Sequence, residues 1–275
     1  MSNPDKYTTE TITDVRPWTD SLFSFRTTRD RGYRFVPGQF ARLGVHAPDA
    51  ALGESKDALG APSQRGQDSI IWRAYSIASA AHDEHLEFFS VVVPGGAFTS
   101  RLSKLREGDE ILVERKSYGF LTTDRFEAGR DLWMLATGTG LAPFLSILHD
   151  FATWQQYDNL VLVQSVRTQA ELAYEDLIRG FDKSEYYAEF AHKLRYARIV
   201  TREPVPDTFR DRVTRLLASG VLEENLGVKL DHVRSRIMLC GNPEMVEDSR
   251  KLLTGRGFRM SRRGEPGHLA VENYW

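Results

Sequence analysis

Thr137-Gly138-Thr139-Gly140-Leu141-Ala142-Pro143 directly follows an apolar run at residues 132–136 and precedes a helical pattern. Glycines between a strand and a helix let the backbone approach a phosphate, which the free N–H groups of the helix start can bind. Pro143 stands where dinucleotide-binding turns usually have Gly or Ala, but proline fits the first turn of a helix. The stretch therefore predicts a dinucleotide-binding turn.

The sequence after this turn alternates between two patterns. Apolar runs predict strands at residues 132–136, 160–166, 194–200 and 236–240, and apolar residues at helical spacing predict helices at residues 141–151, 171–178, 213–217 and 243–253. Strands buried on both faces give such continuous apolar runs. Alternation of strands and helices predicts an α/β domain with a doubly wound parallel sheet.

The chain before the turn is β-rich. Predicted strands are residues 9–13, 21–27, 40–45, 70–77, 86–93 and 111–114, with one helix near Leu102. Short strands with one helix indicate a small antiparallel β-barrel, in which we expect strands 70–77 and 86–93 to be neighbours. Residues 116–130 form the expected linker, which divides the chain into domains 1–125 and 126–275. The His46–Ser69 insertion is either disordered or a flap that binds a partner.

One barrel strand carries Arg73-Ala74-Tyr75-Ser76. Side chains alternate across a strand, so Arg73 and Tyr75 share one face. Tyr75 could pack on a planar ring, Arg73 could pair with phosphate, and Ser76 could hydrogen-bond a ring nitrogen. An ordinary edge strand would have the same pattern. Further along, Thr99 could help to bind phosphate or simply cap a helix.

The end of the second apolar strand indicates the coenzyme. Binders of NAD often have Asp or Glu there, which hydrogen-bonds the ribose 2′-hydroxyl. This chain has Ser165-Val166-Arg167, and Arg202 and Arg212 follow the next strand. Cations in these places favour a 2′-phosphate, and hence NADP(H) over NAD(H).

Composition limits the possible functions. The 275 residues fit one large or two ordinary domains, and a net charge of -2 argues against a nucleic-acid binder. No apolar run is long enough to span a bilayer, and the first residues lack the core of a signal peptide. The single cysteine, Cys240, excludes intrachain disulfides, and the histidines show no metal-ligand spacing. We expect a cytoplasmic protein that holds no metal and does any redox chemistry with an organic cofactor.

These motifs occur with Cys240-Gly241-Asn242-Pro243-Glu244-Met245 and a chain end of Val271-Glu272-Asn273-Tyr274-Trp275. Together they resemble the ferredoxin–NADP+ reductase family, and the bacterial ferredoxin/flavodoxin–NADP+ reductases most closely. The resemblance runs from Phe40 to Trp275. It implies bound FAD and NADP(H), hydride transfer between NADPH and flavin N5, and one-electron exchange with ferredoxin or flavodoxin.

The resemblance also implies roles for individual residues. The FAD-binding residues would be Arg73, Ala74, Tyr75, Ser76, Val92, Gly96, Phe98, Thr99, Ser100, Tyr274 and Trp275. The NADP(H)-binding residues would be Thr137, Gly138, Arg167, Arg202, Arg212, Cys240, Gly241 and Met245. The catalytic residues would be Ser76 at N5, Cys240 at the nicotinamide, Glu272 in proton and charge balance, and Tyr274 stacked on the flavin.

The expected partners are acidic ferredoxins or flavodoxins, and the expected state is a monomer that binds neither nucleic acid nor a membrane stably. A basic rim could dock such partners, with candidates Lys104, Arg106, Arg115, Lys116 and Arg125. Two alternatives remain open. The chain could be the reductase component of an oxygenase system, or a flavin-binding subunit without turnover.

Overall fold

The computed structural model describes residues 6–46 and 70–273 and contains two sheets. The first sheet is antiparallel and consists of β1 (Tyr7–Pro17), β2 (Leu22–Thr28), β3 (Phe40–His46), β4 (Ile70–Ser76), β5 (His85–Val91) and β6 (Glu110–Tyr118). Its strand order is β4-β3-β6-β1-β2-β5. An isolated antiparallel bridge between Ile77 and Phe88 joins the two ends of this order and closes the sheet into a barrel.

The barrel core explains the alternation of apolar residues in the first half of the chain. Phe25, Leu43, Phe88 and Ile111 are at most 2% exposed and pack together inside the barrel. Closure also covers the edges that an open sheet would present to other chains. The predicted barrel is confirmed. Strands 70–77 and 86–93 are neighbours as predicted, although β4 and β5 lie at opposite ends of the strand order, because the Ile77–Phe88 bridge joins those ends.

The second sheet is parallel and follows the predicted strands. It contains β7 (Asp131–Thr137), β8 (Asn159–Val166), β9 (Leu194–Val200), β10 (Ser235–Gly241) and β11 (Leu269–Asn273), in the order β11-β10-β7-β8-β9. Seven helices accompany the two sheets: α1 (Thr99–Leu102), α2 (Ala142–Leu148), α3 (Phe151–Gln156), α4 (Glu175–Arg179), α5 (Val213–Ser219), α6 (Val221–Leu226) and α7 (Pro243–Gly255). These counts refer to residues 6–46 and 70–273.

The parallel sheet is buried on both faces. In β7, Met134 packs with α2 and α3, whereas Trp133 packs with α5, α6 and α7 on the other face. Both side chains are fully buried. This confirms the doubly wound sheet predicted from the continuous apolar runs.

Two predicted elements differ in their bounds. The predicted helix 141–151 is a 3₁₀ turn, Gly138–Leu141, followed by α2 and α3. The break occurs at Asp150, whose backbone is extended. Its side chain caps α3 by accepting a hydrogen bond from the Ala152 N–H. The predicted linker begins inside a strand, because Ser117 and Tyr118 still pair with β3.

The two domains are joined by a hydrogen bond and a ring contact of Tyr174. The Tyr174 hydroxyl donates to Glu87 Oε1 over 2.7 Å, and the Tyr174 ring lies 4.9 Å from that of Trp18. Arg236 is 2% exposed and donates from Nε to the Glu127 carbonyl, so it fixes the chain between the domains. Within the two described segments, no helix has both the length and the hydropathy to cross a bilayer.

Candidate functional site

A cleft of about 720 Å³ lies where the carboxyl ends of β7, β8 and β10 face the barrel. This is the edge at which open α/β sheets bind ligands. The sheet side is formed by the turns that follow these strands. The barrel side is formed by Ser21, Leu22 and residues 91–94, which begin at the last residue of β5. We call this space the coenzyme cleft.

Two turns interlock at the bottom of the coenzyme cleft. A Cβ on Gly140 would lie 2.3 Å from the Cys240 carbonyl oxygen, and one on Gly241 would lie 2.2 Å from Thr137 Oγ1. Thr137 Oγ1 also accepts from the Asn242 N–H over 2.8 Å. The two backbones can touch only because both positions lack a side chain. Two residues without side chains, Gly138 and Gly241, therefore lie in the wall of the cleft.

The second turn leads into α7. The Asn242 side chain accepts from the N–H groups of Glu244 and Met245, and Pro243 occupies the first helical turn. Besides two arginines, four predicted coenzyme residues line the cleft: Thr137, Gly138, Gly241 and Met245. Cys240 is fully buried just before this turn.

The predicted arginines separate into two groups. Arg167 and Arg212 line the cleft, and the Arg167 N–H donates to Glu171 Oε2 over 2.9 Å. Arg202 is exposed and is not among the cleft walls, although its N–H donates to the Arg167 carbonyl. Thr201 and Thr214 also line the cleft and were not predicted. Their positions in the sequence, close to Arg202 and Arg212, could have indicated that they belong to this site.

On the barrel, the predicted flavin-binding strand is β4. The Tyr75 ring lies 5.5 Å from that of Phe98, and its hydroxyl is 3.1 Å from Ser90 Oγ. Burial raises the pKa of Tyr75 to about 12, so the phenol stays neutral. Arg73 and Ala74 are exposed, and Ser76 is buried. Thus Arg73 is accessible to an anion, while Tyr75 is held in place by the barrel core.

The predicted phosphate-binding loop precedes α1, which is a single turn. Thr99 Oγ1 accepts from the Val93 N–H over 3.0 Å, and the Ser100 N–H donates to the Gly96 carbonyl over 3.1 Å. Phe98, not Thr99, occupies the N-cap position, and α1 has no side-chain cap. The capping alternative for Thr99 is therefore wrong, because its hydroxyl instead closes the loop onto Val93. Val92 packs against the barrel core and also lines the coenzyme cleft.

Glu272 reaches the boundary between the two sheets. It pairs with Cys240 in the parallel register of β10 and β11. Its Oε1 lies 3.3 Å from where a Cβ on Gly119 would stand, and that point is 3.0 Å from the ring of Phe40. Phe40 pairs with Ser76 in β3 and β4. The fold therefore brings Cys240, Glu272 and Ser76, which are far apart in the chain, to one region.

The Glu272 carboxyl group is unusual in this position. Its Oε2 is buried and has no hydrogen-bond partner among the described residues. Burial raises its pKa to about 7. A carboxyl group with this pKa can hold or release a proton near neutral pH. The predicted Tyr274 and Trp275 lie outside the described residues.

Comparison with known proteins agrees with this geometry. Residues 134–251 match the family model of the oxidoreductase NAD-binding domain. The chain is 42% identical over 268 residues to a ferredoxin–NADP reductase of Pseudomonas aeruginosa, with 96% of each sequence covered. It is 36% identical over 270 residues to the flavodoxin/ferredoxin–NADP reductase of Escherichia coli, covering 98% of this chain and 99% of the relative. The chain belongs to the ferredoxin–NADP reductase family.

A solved reductase of this family has the same architecture. The crystal structure of a ferredoxin NADP+ reductase from Neisseria gonorrhoeae, with bound FAD and NADP, superposes with a TM-score of 0.84. The two chains are 35% identical, and 98% of this chain and 99% of the other are covered. The predicted family and its two-domain fold are confirmed.

Proposed function

We propose that this family member is an FAD-dependent reductase that transfers hydride between NADP(H) and flavin and exchanges single electrons with ferredoxin or flavodoxin. The observation that carries the proposal is the register of Cys240 with Glu272, directly behind the interlocked turns of the coenzyme cleft. One end of this site is bare backbone and the other is a buried carboxyl group next to the strand pair Phe40 and Ser76. A dinucleotide and a second planar cofactor both fit such a site.

In this proposal the cleft residues bind and orient NADP(H). Backbone N–H groups of the turn at Gly138 face the pyrophosphate, and Arg167 and Arg212 pair with the 2′-phosphate. Thr201 and Thr214 can add hydrogen bonds at the same end. Cys240, buried directly before the turn, would lie beside the nicotinamide.

The barrel residues would hold FAD. The exposed Arg73 pairs with its pyrophosphate, and the loop from Gly96 to Ser100 supplies backbone donors there. Tyr75 supports one face of the ring system, with its own orientation fixed by Phe98 and Ser90. When bound, FAD supplies both the hydride chemistry and the single-electron steps. Ser76 would hydrogen-bond near N5, and Glu272 would hold or release the proton that accompanies the change in charge.

A redox partner would dock on the surface near Glu272, where an exposed aromatic residue follows Gly119. Phe120 is 59% exposed, and the Arg125 guanidinium lies 4.4 Å from the centre of its ring. Among the predicted docking residues, four are exposed: Lys104, Arg106, Arg115 and Lys116. Of these, Arg115 lies 3.7 Å from Asp30 Oδ2. A basic surface would bind acidic ferredoxins or flavodoxins with strong salt dependence.

The direct test is a steady-state assay of electron transfer from NADPH to purified ferredoxins and flavodoxins. Turnover that falls with ionic strength, and falls further in Lys116→Glu, would support the proposal. Transfer only to the iron–sulfur protein of an oxygenase would favour the oxygenase alternative. A protein that takes up no FAD would overturn the proposal. A monomeric state and a cytoplasmic location stay predictions.

A further inference from the structure

A second cavity, of about 570 Å³, lies between the barrel and the α/β domain. It uses the opposite end of β5 from the coenzyme cleft: His85 and Glu87 line this cavity, whereas Val91 lines the cleft. In the described part of the chain, the two spaces share no wall residue. Cavities of this size between domains are the usual sites of small-molecule ligands. We call it the interdomain cavity.

Exposed apolar side chains gather at the mouth of the interdomain cavity. Phe151 is 42% exposed, Leu177 is 38% exposed and Tyr186 is 76% exposed, and all three line it. They are three of the seven large hydrophobic residues that are exposed in the described part of the chain. Clustered exposed apolar side chains mark a surface that binds an apolar group. The rim is therefore suited to an aromatic or aliphatic body.

The barrel wall of the interdomain cavity is acidic. Glu87 accepts from Arg26 Nε over 2.8 Å and from the Tyr174 hydroxyl over 2.7 Å, so it is already paired within the protein. Asp83 Oδ2 accepts from the Ala80 N–H over 2.9 Å, and Asp83 carries the second carboxylate of the wall. Two carboxylates and one guanidinium leave a net charge of -1 when the lining histidines are neutral.

The opposite wall presents a histidine as a hydrogen-bond acceptor. His149 Nδ1 lies 2.8 Å from the Leu145 carbonyl oxygen, and burial lowers the pKa of this imidazole. In the neutral ring, Nδ1–H donates to the carbonyl, and Nε2 is left as an acceptor. A second imidazole group belongs to His85, whose Nε2 lies 3.9 Å from both Asp83 Oδ2 and Glu87 Oε2.

A metal ion does not fit these groups. Within residues 6–46 and 70–273, no three His, Cys, Asp or Glu side chains are arranged to hold one. An organic ligand fits better if it has a cationic group that donates hydrogen bonds to the two polar walls and an apolar body that packs on the rim. The carboxylate and imidazole acceptors match an ammonium group, and the aromatic rim favours a nearby cation as well as the attached body.

We propose that the interdomain cavity is a binding site for a small organic ammonium ion with an aromatic or aliphatic body. Its ammonium group lies at Asp83 and its body lies on Phe151 and Tyr186. Binding is independent of the coenzyme, because the coenzyme cleft lies at the other end of β5.

Isothermal titration calorimetry of the FAD-loaded protein with 2-phenylethylamine at neutral pH tests the proposal. Its neutral analogue 2-phenylethanol has nearly the same shape and lacks the charge. We expect one amine site per chain, about tenfold weaker binding of the alcohol, and unchanged amine affinity with saturating NADP+. No amine binding, equal binding of the two compounds, or competition by NADP+ would each overturn the proposal.

Two variants locate the site. Asp83→Asn removes the charge but keeps an oxygen that can accept from the Ala80 N–H, so the turn is preserved. Glu84→Gln is the matched control, because it makes the same change in charge at an exposed neighbouring residue that does not line the cavity. We expect Asp83→Asn to weaken amine binding about tenfold and Glu84→Gln to leave it unchanged. Equal effects of the two variants would contradict the site.

Discussion

The coenzyme cleft and the flavin-facing side of the barrel are built by different means. In the cleft, Gly140 lies against the Cys240 carbonyl and Gly241 lies against Thr137, so the site depends on backbone that approaches closely. On the side that would face the flavin, the candidate groups are side chains, Ser76 of the barrel and Glu272 of the parallel sheet, that come to one region from distant strands. The coenzyme cleft therefore cannot accept added side-chain volume, whereas the flavin-facing side depends on the chemical nature of each side chain. Substitutions that add volume in the cleft and substitutions that change a single charged group should therefore have different effects.

The largest effect is expected from Gly140→Ala. The added Cβ would stand 2.3 Å from the Cys240 carbonyl oxygen, and both contacting groups are backbone. One turn must therefore move away from the other, which we expect to destabilise the protein by about 3 kcal/mol or more. Thermal unfolding measures this loss, and KM for NADPH should rise in whatever folded protein remains.

Gly255→Ala is the control for Gly140→Ala. This glycine ends α7, and a Cβ added there would have nothing within 4 Å. Alanine should be neutral or stabilising by up to about 1 kcal/mol. If Gly140→Ala and Gly255→Ala unfold at the same temperature, the close approach of the two backbones does not build the cleft.

A smaller effect is expected from Arg212→Ala, which removes one cation from the cleft wall. The coenzyme preference is the kcat/KM for NADPH divided by the kcat/KM for NADH. Loss of one charge-assisted contact with a 2′-phosphate should lower this ratio by about 10- to 100-fold. Arg202→Ala, at a residue outside the cleft walls, should lower it less. An unchanged ratio in Arg212→Ala and Arg167→Ala would contradict the predicted coenzyme preference.

The smallest effect is expected from Glu272→Gln and depends on pH. The folded protein holds the Glu272 proton up to a pKa of about 7, against an ordinary value of 4.5. Ionisation therefore costs the parent protein stability as pH rises through this interval, and the variant escapes that cost. Glu272→Gln should match the parent near pH 5 and be more stable by about 1–2 kcal/mol at pH 8.

Thermal unfolding at the two pH values measures the Glu272 effect. Glu265→Gln, at an exposed residue in the turn before β11, is the matched control. Its difference from the parent should be small at both pH values. A Glu272→Gln variant with no pH-dependent gain would show that the buried carboxyl group is stabilised by contacts that the described residues do not provide.

Much of the α/β domain could be predicted from sequence because its signals are local. Continuous apolar runs marked β7, β8 and β10, and the glycine turn lay directly between a strand and a helix. The bounds were less accurate where a single residue decided them. Asp150 divides the predicted helix 141–151 by capping α3, a role that competes with its place in a helical pattern.

The barrel side of the site could not be worked out from local pattern. Nothing near Ser21 or Leu22 in the chain indicates that they face the coenzyme cleft, because that depends on how the domains pack. Likewise, the position of Gly119 and Phe40 beside Glu272 follows from pairings between strands far apart in sequence. The family resemblance supplied roles for Tyr75 and Glu272 that alternation alone left open.

Stopped-flow absorbance tests the proposed reduction of bound flavin by NADPH without any added protein partner. The FAD-loaded protein is mixed with NADPH or NADH, and bleaching of the bound flavin is followed in the parent and in Arg212→Ala. The proposed function predicts rapid bleaching by NADPH, much slower bleaching by NADH, and a smaller difference between the two coenzymes in the variant. Flavin that NADPH does not reduce, or that both coenzymes reduce equally fast in the parent, would contradict it.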